Sequence, residues 1–262
     1  MNVKQLEQTE AVLAARRYLY ALFQSLFGAE PSSEQFQAIS LSLVREAFAI
    51  LGEGDASTAS ASGVPDAADT VPVALAPASD APTTTIDEFL EALSVASSVP
   101  EDLNTEYTQL FIGPGKLSAP PWESVYTSGE RVIFQRSTLE IRNFYRSQGF
   151  IPQLYPKVAD DHIALELDFL RLLAERALDA WCEKDKIAYT EALQAGSDFL
   201  AEHLLCWIDR FAWDLALSEK STFYSTLAQT LVTFVNRDRE LIPELLELSQ
   251  GQVSQGQGVS VV

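Results

Sequence analysis

The chain has 262 residues, with 18 Lys and Arg against 37 Asp and Glu, a formal charge of −19, and 47% apolar residues. A field of that sign repels phosphate backbones and argues against nucleic acid as a partner, while the apolar fraction is ample for a sizeable core. Two cysteines, Cys182 and Cys206, are too few for a disulfide framework.

The opening MNVKQLEQTEAVLAARRYLY lacks a basic segment leading into an apolar one, so no export signal is expected. No apolar run reaches the ~18 residues of a membrane span. These features predict a soluble, cytoplasmic protein. Leu19, Leu22, Phe23 and Leu26 follow helical spacing, and Gly28 can close that helix. A second helix is expected from Pro31 and Ser32, with Phe36, Ile39 and Leu43 inward.

Residues 52–85 contain no aromatic residue, no Lys and no Arg. Small residues, Pro and scattered acids cannot bury enough surface to offset the ordering entropy, which predicts a flexible insertion. Thr85 and Glu88 then stand in capping-box spacing ahead of Ile86, Phe89, Leu90 and Leu93. Pro100 suits the first turn of the next helix, with Leu103, Tyr107, Leu110 and Phe111 inward and Gly113 and Pro114 as its stop.

The passage LFIGPGKLSAPPWESVY, 110–126, is too apolar for a linker and too rich in Pro for a core helix. Beyond it, Thr127 with Glu130 and Ser137 with Glu140 repeat the capping-box spacing. Residues 161–180 carry apolar side chains on most sides (Ile163, Leu165, Leu167, Phe169, Leu170, Leu172, Leu173), the pattern of a central buried helix. Helical spacing continues through Leu200, Leu204, Trp207, Ile208, Phe211 and Leu215, and again through Phe223, Leu227, Leu231 and Phe234. Alternating strand patterns of useful length are absent. The fold class is therefore all-α, one globular multi-helix domain over 1–262 interrupted at 52–85, with 251–262 expected to form a disordered tail.

In DDHIALELDFL, 160–170, helical geometry puts His162 and Glu166 one turn apart on one face. Such a pair could be a base, half of a metal site, or a histidine that caps or pins a buried helix. No Glu-x-x-His pair is present for a di-iron bundle. His203 and Cys206 make only a weak zinc pattern. No nucleophile elbow occurs, and GPGK at 113–116 lacks the spacing of a phosphate loop. A hydrolase centred on His162 and its acids is the enzyme-class alternative; no metal and no cofactor is expected.

Taken together, EYTQLFIGPGKLSAPPWESVY (106–126) and DDHIALELDFL (160–170) resemble the two signature segments of the TorD/DmsD family. The likeness is strong across roughly 100–175, and the 52–85 segment departs from the family's compact pattern. The resemblance implies a cytoplasmic, non-catalytic chaperone for molybdenum-pterin oxidoreductases of the dimethyl sulfoxide and trimethylamine N-oxide reductase type. It implies binding of a twin-arginine signal peptide and of the apo catalytic subunit that carries it. Guanine nucleotide is a further partner suggested for parts of the family, and a monomer or domain-swapped dimer fits it. By position within the motifs, it carries signal-peptide binding to Leu110, Phe111, Gly113, Pro114, Pro121, Trp122, Glu123, Ser124, Tyr126, Asp161, His162 and Glu166. In that reading Pro120 and Pro121 stiffen a loop, Trp122 supplies apolar surface and Glu123 supplies charge for arginines. The two segments are expected to meet, with His162 beside the Trp122 loop.

Overall fold

Leu19, Phe23 and Leu26 recur on one face of the first helix, α1 (Val3–Gly28), and all are at most 2% exposed. Each such side chain contributes roughly 1.5–3 kcal/mol by leaving water. The structure, a computed structural model, describes residues 3–52, 84–98, 100–128, 136–152 and 158–251. The segment expected to be a flexible insertion, apart from its ends, and the expected tail after Gly251 lie outside the described residues.

The helix expected from Pro31 onward is two helices. Ser32 caps α2 (Ser33–Gln37) by accepting from Gln35 N, and Ser40 caps α3 (Leu41–Leu51) by accepting from Leu43 N. The restart at Ser40 rotates the register. Leu43 therefore faces out at 44% exposure, and Val44, Ala47, Phe48 and Leu51 face the core instead. Both ends of the 52–85 segment are fastened to one later helix, α11 (Phe223–Gly251): Arg237 donates to the Leu51 carbonyl at 2.8 Å, and Thr84 hydrogen-bonds Gln229. Those anchors stand eight positions apart on the helix, about 12 Å along its axis, so the segment leaves and returns near one place.

Helix α4 (Ile86–Ser98) opens with the expected capping box: Thr85 N donates to Glu88 at 2.7 Å, and Glu88 N donates to Thr85 Oγ1 at 3.2 Å. Helix α5 (Pro100–Tyr107) runs into a π-helical turn, Thr108–Ile112, which Gly113 ends at φ 100°. That left-handed backbone favours glycine. Two further capping-box expectations fail. Thr127 closes α6 (Glu123–Thr127) rather than opening a helix, and Glu130 lies outside the described residues. Ser137 already lies inside α7 (Arg136–Ser147), where Glu140 pairs with Arg136 at 2.7 Å.

The central helix is α8 (Ile163–Glu183), with α1 packed along it and α9 (Lys186–Glu202) returning beside it. The expected spacing from Leu200 to Leu215 is broken by a 3-10 turn at Leu204–Cys206 before α10 (Ile208–Ala216). All six apolar positions named there are nevertheless fully buried. Arg16 and Tyr20 of α1 both hydrogen-bond Asp238 of α11, a buried ion pair that ties the first helix to the last. Among the described residues no strand forms.

Candidate functional site

The loop before α6 and the loop before α8 run antiparallel and exchange backbone hydrogen bonds. Ile163 N donates to the Pro121 carbonyl at 3.0 Å, and Glu123 N to the Asp161 carbonyl at 3.0 Å. Trp122 and His162 are thus paired in a single β-bridge, their rings edge to face with centroids 5.6 Å apart. The two sequence segments meet here. Gly28 helps to bring α1 to this junction, since a β-carbon there would stand 3.2 Å from the Cβ of Ala164.

Three successive residues of the second segment each have a separate partner. Asp160 takes Arg142 of α7 at 2.6 Å, and its carbonyl accepts from the Tyr145 hydroxyl at 3.1 Å. Asp161 Oδ2 accepts from Ser124 N at 3.0 Å, so it caps α6 from outside; Trp122, which precedes that helix, supplies no cap of its own. His162 caps α8 by accepting from Ala164 N through Nδ1 at 3.2 Å. An Nδ1 that accepts leaves the proton on Nε2. Burial pushes this imidazole down to about 4, against a smaller upward pull from Asp161, so the ring is neutral at physiological pH.

Behind the bridge lie acids with little water. Glu123 is 3% exposed, and its Oε2 is hydrogen-bonded to His203 Nδ1 at 3.2 Å. Glu166 is fully buried and accepts from the Trp207 indole at 3.2 Å. Trp207 stacks on Tyr126 at 5.4 Å, and Arg210 donates to the Tyr126 carbonyl at 2.9 Å. Burial raises the Glu166 carboxyl well above its ordinary range; Glu123 and Asp161 add to the rise and the Trp207 bond opposes it. One oxygen each of Asp161 and Glu166, with the Ser124 hydroxyl, is buried without a hydrogen-bond partner among the described residues.

These positions correct two expectations. His162 and Glu166 do not stack along one helix face. His162 has extended backbone before the first turn and looks to Ala164, while Glu166 looks to Trp207. The base or metal half-site built on that pair has no geometric support. Nor does Glu123 stand at a surface to meet arginines; its carboxyl is turned inward to His203. His203 and Cys206 also diverge, because the thiol is exposed and donates to the Ala201 and Glu202 carbonyls.

The remaining motif residues lie further along. Leu110 is fully buried and Gly113 and Pro114 form a surface turn. Phe111 is half-buried and joins the junction through Phe211, which lies 6.4 Å from it and 6.3 Å from Tyr126. Sequence reasoning missed His203 as the partner of Glu123 and Trp207 as the donor to Glu166. Trp207 was legible only as a core position, and a contact across 80 residues leaves no spacing signal.

An all-helical domain whose two motif loops are knitted into one partly exposed Trp–His surface has the build of a binding protein. The profile of the family described as nitrate reductase delta subunit matches residues 74–212. A protein of Haemophilus influenzae, named as a probable Tat proofreading chaperone DmsD, is 33% identical over 134 residues, 51% of this chain and 59% of that one. The chaperone protein TorD of Vibrio cholerae is 28% identical over 160 residues, 61% of this chain and 71% of its own length. The TorD of Vibrio parahaemolyticus is 24% identical over 233 residues, covering 89% and 97%. The chain belongs to this family, the TorD/DmsD chaperones, which are not catalysts.

Proposed function

We propose that the protein is a chaperone that holds the twin-arginine signal peptide of a molybdenum-pterin oxidoreductase while the apo catalytic subunit folds and receives its cofactor. The observation that carries this reading is the Trp122–His162 bridge, which builds one surface from two segments 40 residues apart in the sequence. Trp122 is half-buried against the core, so its ring is held in place while one side remains available. A rigid aromatic of that kind is suited to anchor the apolar part of a peptide at low ordering cost. His162 presents a neutral ring beside it, a weakly polar neighbour that does not repel an apolar stretch. The names of the relatives, two of them TorD and one a Tat proofreading chaperone, support the same reading.

Titration of the protein with a fluorescent twin-arginine peptide tests it. Saturable binding is expected, weakened about tenfold by Trp122→Ala in a variant that still melts cooperatively. A wild-type protein that binds no such peptide sinks the proposal. Phosphate release by clean wild-type protein, abolished by His162→Gln, would move the assignment to a hydrolase.

A further inference from the structure

Since the motif acids face inward, a cationic peptide needs other carboxylates. Between α4, α5 and the start of α11 lies a groove of about 490 Å³. Ala92, Val95, Ala96, Leu103 and Phe223 give it an apolar floor, four acids, Glu88, Glu91, Asp102 and Glu106, stand around it, and no Lys or Arg is among its described lining residues.

The four acids are not equivalent. Glu88 is engaged in the capping box of α4. Glu106 caps α11, accepting from Thr222 N at 2.8 Å, the Thr222 hydroxyl at 2.6 Å and Tyr224 N at 3.0 Å. Glu91 and Asp102 are exposed and have no hydrogen-bond or ion-pair partner among the described residues. Val95 beside them is 58% exposed. Two uncommitted charges over an apolar floor match a ligand that is cationic and apolar at once. The net charge of −19 steers such a ligand toward the protein. Packed rings of the core also link the groove floor to the junction. Its Phe223 touches Tyr224 at 5.2 Å, Tyr224 touches Phe111 at 5.0 Å, and Phe111 leads through Phe211 to Tyr126.

We propose that the α4–α5–α11 groove receives the basic end of the bound peptide, with Glu91 and Asp102 reading its guanidinium groups. The inference rests on the peptide-binding function proposed above and moves charge recognition away from Glu123. Its test is a titration of wild-type protein and the Glu91→Gln, Asp102→Asn double variant with two peptides, one carrying the arginine pair and one with both arginines replaced by glutamine. The double variant is expected to bind the arginine peptide about tenfold more weakly at low salt, with a flatter salt dependence. Both proteins should bind the glutamine peptide alike. Unchanged affinity of the double variant for the arginine peptide would overturn the groove and leave the chaperone function standing. Equal losses for both peptides would also overturn it, because charge would not be what is read. Failure of wild-type protein to bind either peptide would remove both proposals.

Discussion

The acids of the Trp122–His162 junction and those of the α4–α5–α11 groove are the same chemical groups in opposite surroundings. At the junction Glu123, Asp161 and Glu166 are between 0 and 3% exposed, and their partners are a histidine, a backbone amide and an indole. In the groove Glu91 and Asp102 stand in water with no described partner. A buried acid holds its own structure together, because leaving its donors unpaired costs far more than leaving water-facing groups alone. An exposed one is free to meet a ligand. Acids beside the most recognisable motif are thus enclosed by partners, whereas Glu91 and Asp102 are open to solvent.

The comparison breaks most sharply at Asp161. Asp161→Ala removes the cap of α6 and leaves Ser124 N buried without an acceptor, an expected loss of about 3 kcal/mol. Asp161→Asn keeps an acceptor and should cost about 1 kcal/mol. Thermal melts of the two variants check this. Equal melting temperatures for Asp161→Ala and wild type would show that the junction does not depend on the cap.

Trp122 comes next, because it belongs to both categories. Its ring packs partly against the core and partly remains open, so Trp122→Ala should cost about 2 kcal/mol of stability, less than a fully buried tryptophan would. Chemical denaturation curves with unchanged slope and a lower midpoint would fit; an unchanged midpoint would make Trp122 a surface residue only.

Much of this architecture could be read in advance, for identifiable reasons. Local periodicity found α1, α4, α8 and α11, because a buried helix face repeats within a few residues: Leu19, Phe23 and Leu26 are all at most 2% exposed. It failed where one serine resets the register, as Ser40 does between α2 and α3. The meeting of Trp122 with His162 was expected from resemblance, not from spacing. What burial does to Glu123 was not legible, since an acid beside a tryptophan reads equally as solvated or enclosed. Nor was the groove, whose walls come from α4, α5 and the first turn of α11, more than 120 residues beyond α4.

A separate effect should appear in the pH dependence of stability. His162 titrates at about 4 in the folded protein against 6.5 in an unperturbed chain, so the unfolded state takes up its proton first. Stability contributed by the neutral ring is present above pH 6.5, is lost as pH falls from 6.5 to 4, and declines no further below that. Glu166 runs the other way. Its folded value lies well above 4.5, so the unfolded state releases its proton first and stability falls as pH rises past 4.5. His162→Gln should flatten the acid limb, and Glu166→Gln the neutral limb, since the amide oxygen still accepts from Trp207. Melting profiles across pH 4–8 that are superimposable on wild type would show that neither side chain is buried from water as strongly as the junction requires.

The smallest effect separates the two kinds of acid within the groove itself. Thr85→Ala removes the hydroxyl that accepts from Glu88 N and donates to the Glu88 carboxylate, and costs one cap, about 0.5–1 kcal/mol. Thr85 N can still donate to Glu88, so α4 keeps its start and the groove keeps its wall. Because Glu91 and Asp102 are untouched, the affinity of an arginine peptide and its salt dependence should match wild type even though the melting temperature falls slightly. A change in salt dependence with this substitution would mean that Glu88, released from its cap, also reads the ligand. The division between capping and reading acids would then lie elsewhere in the groove.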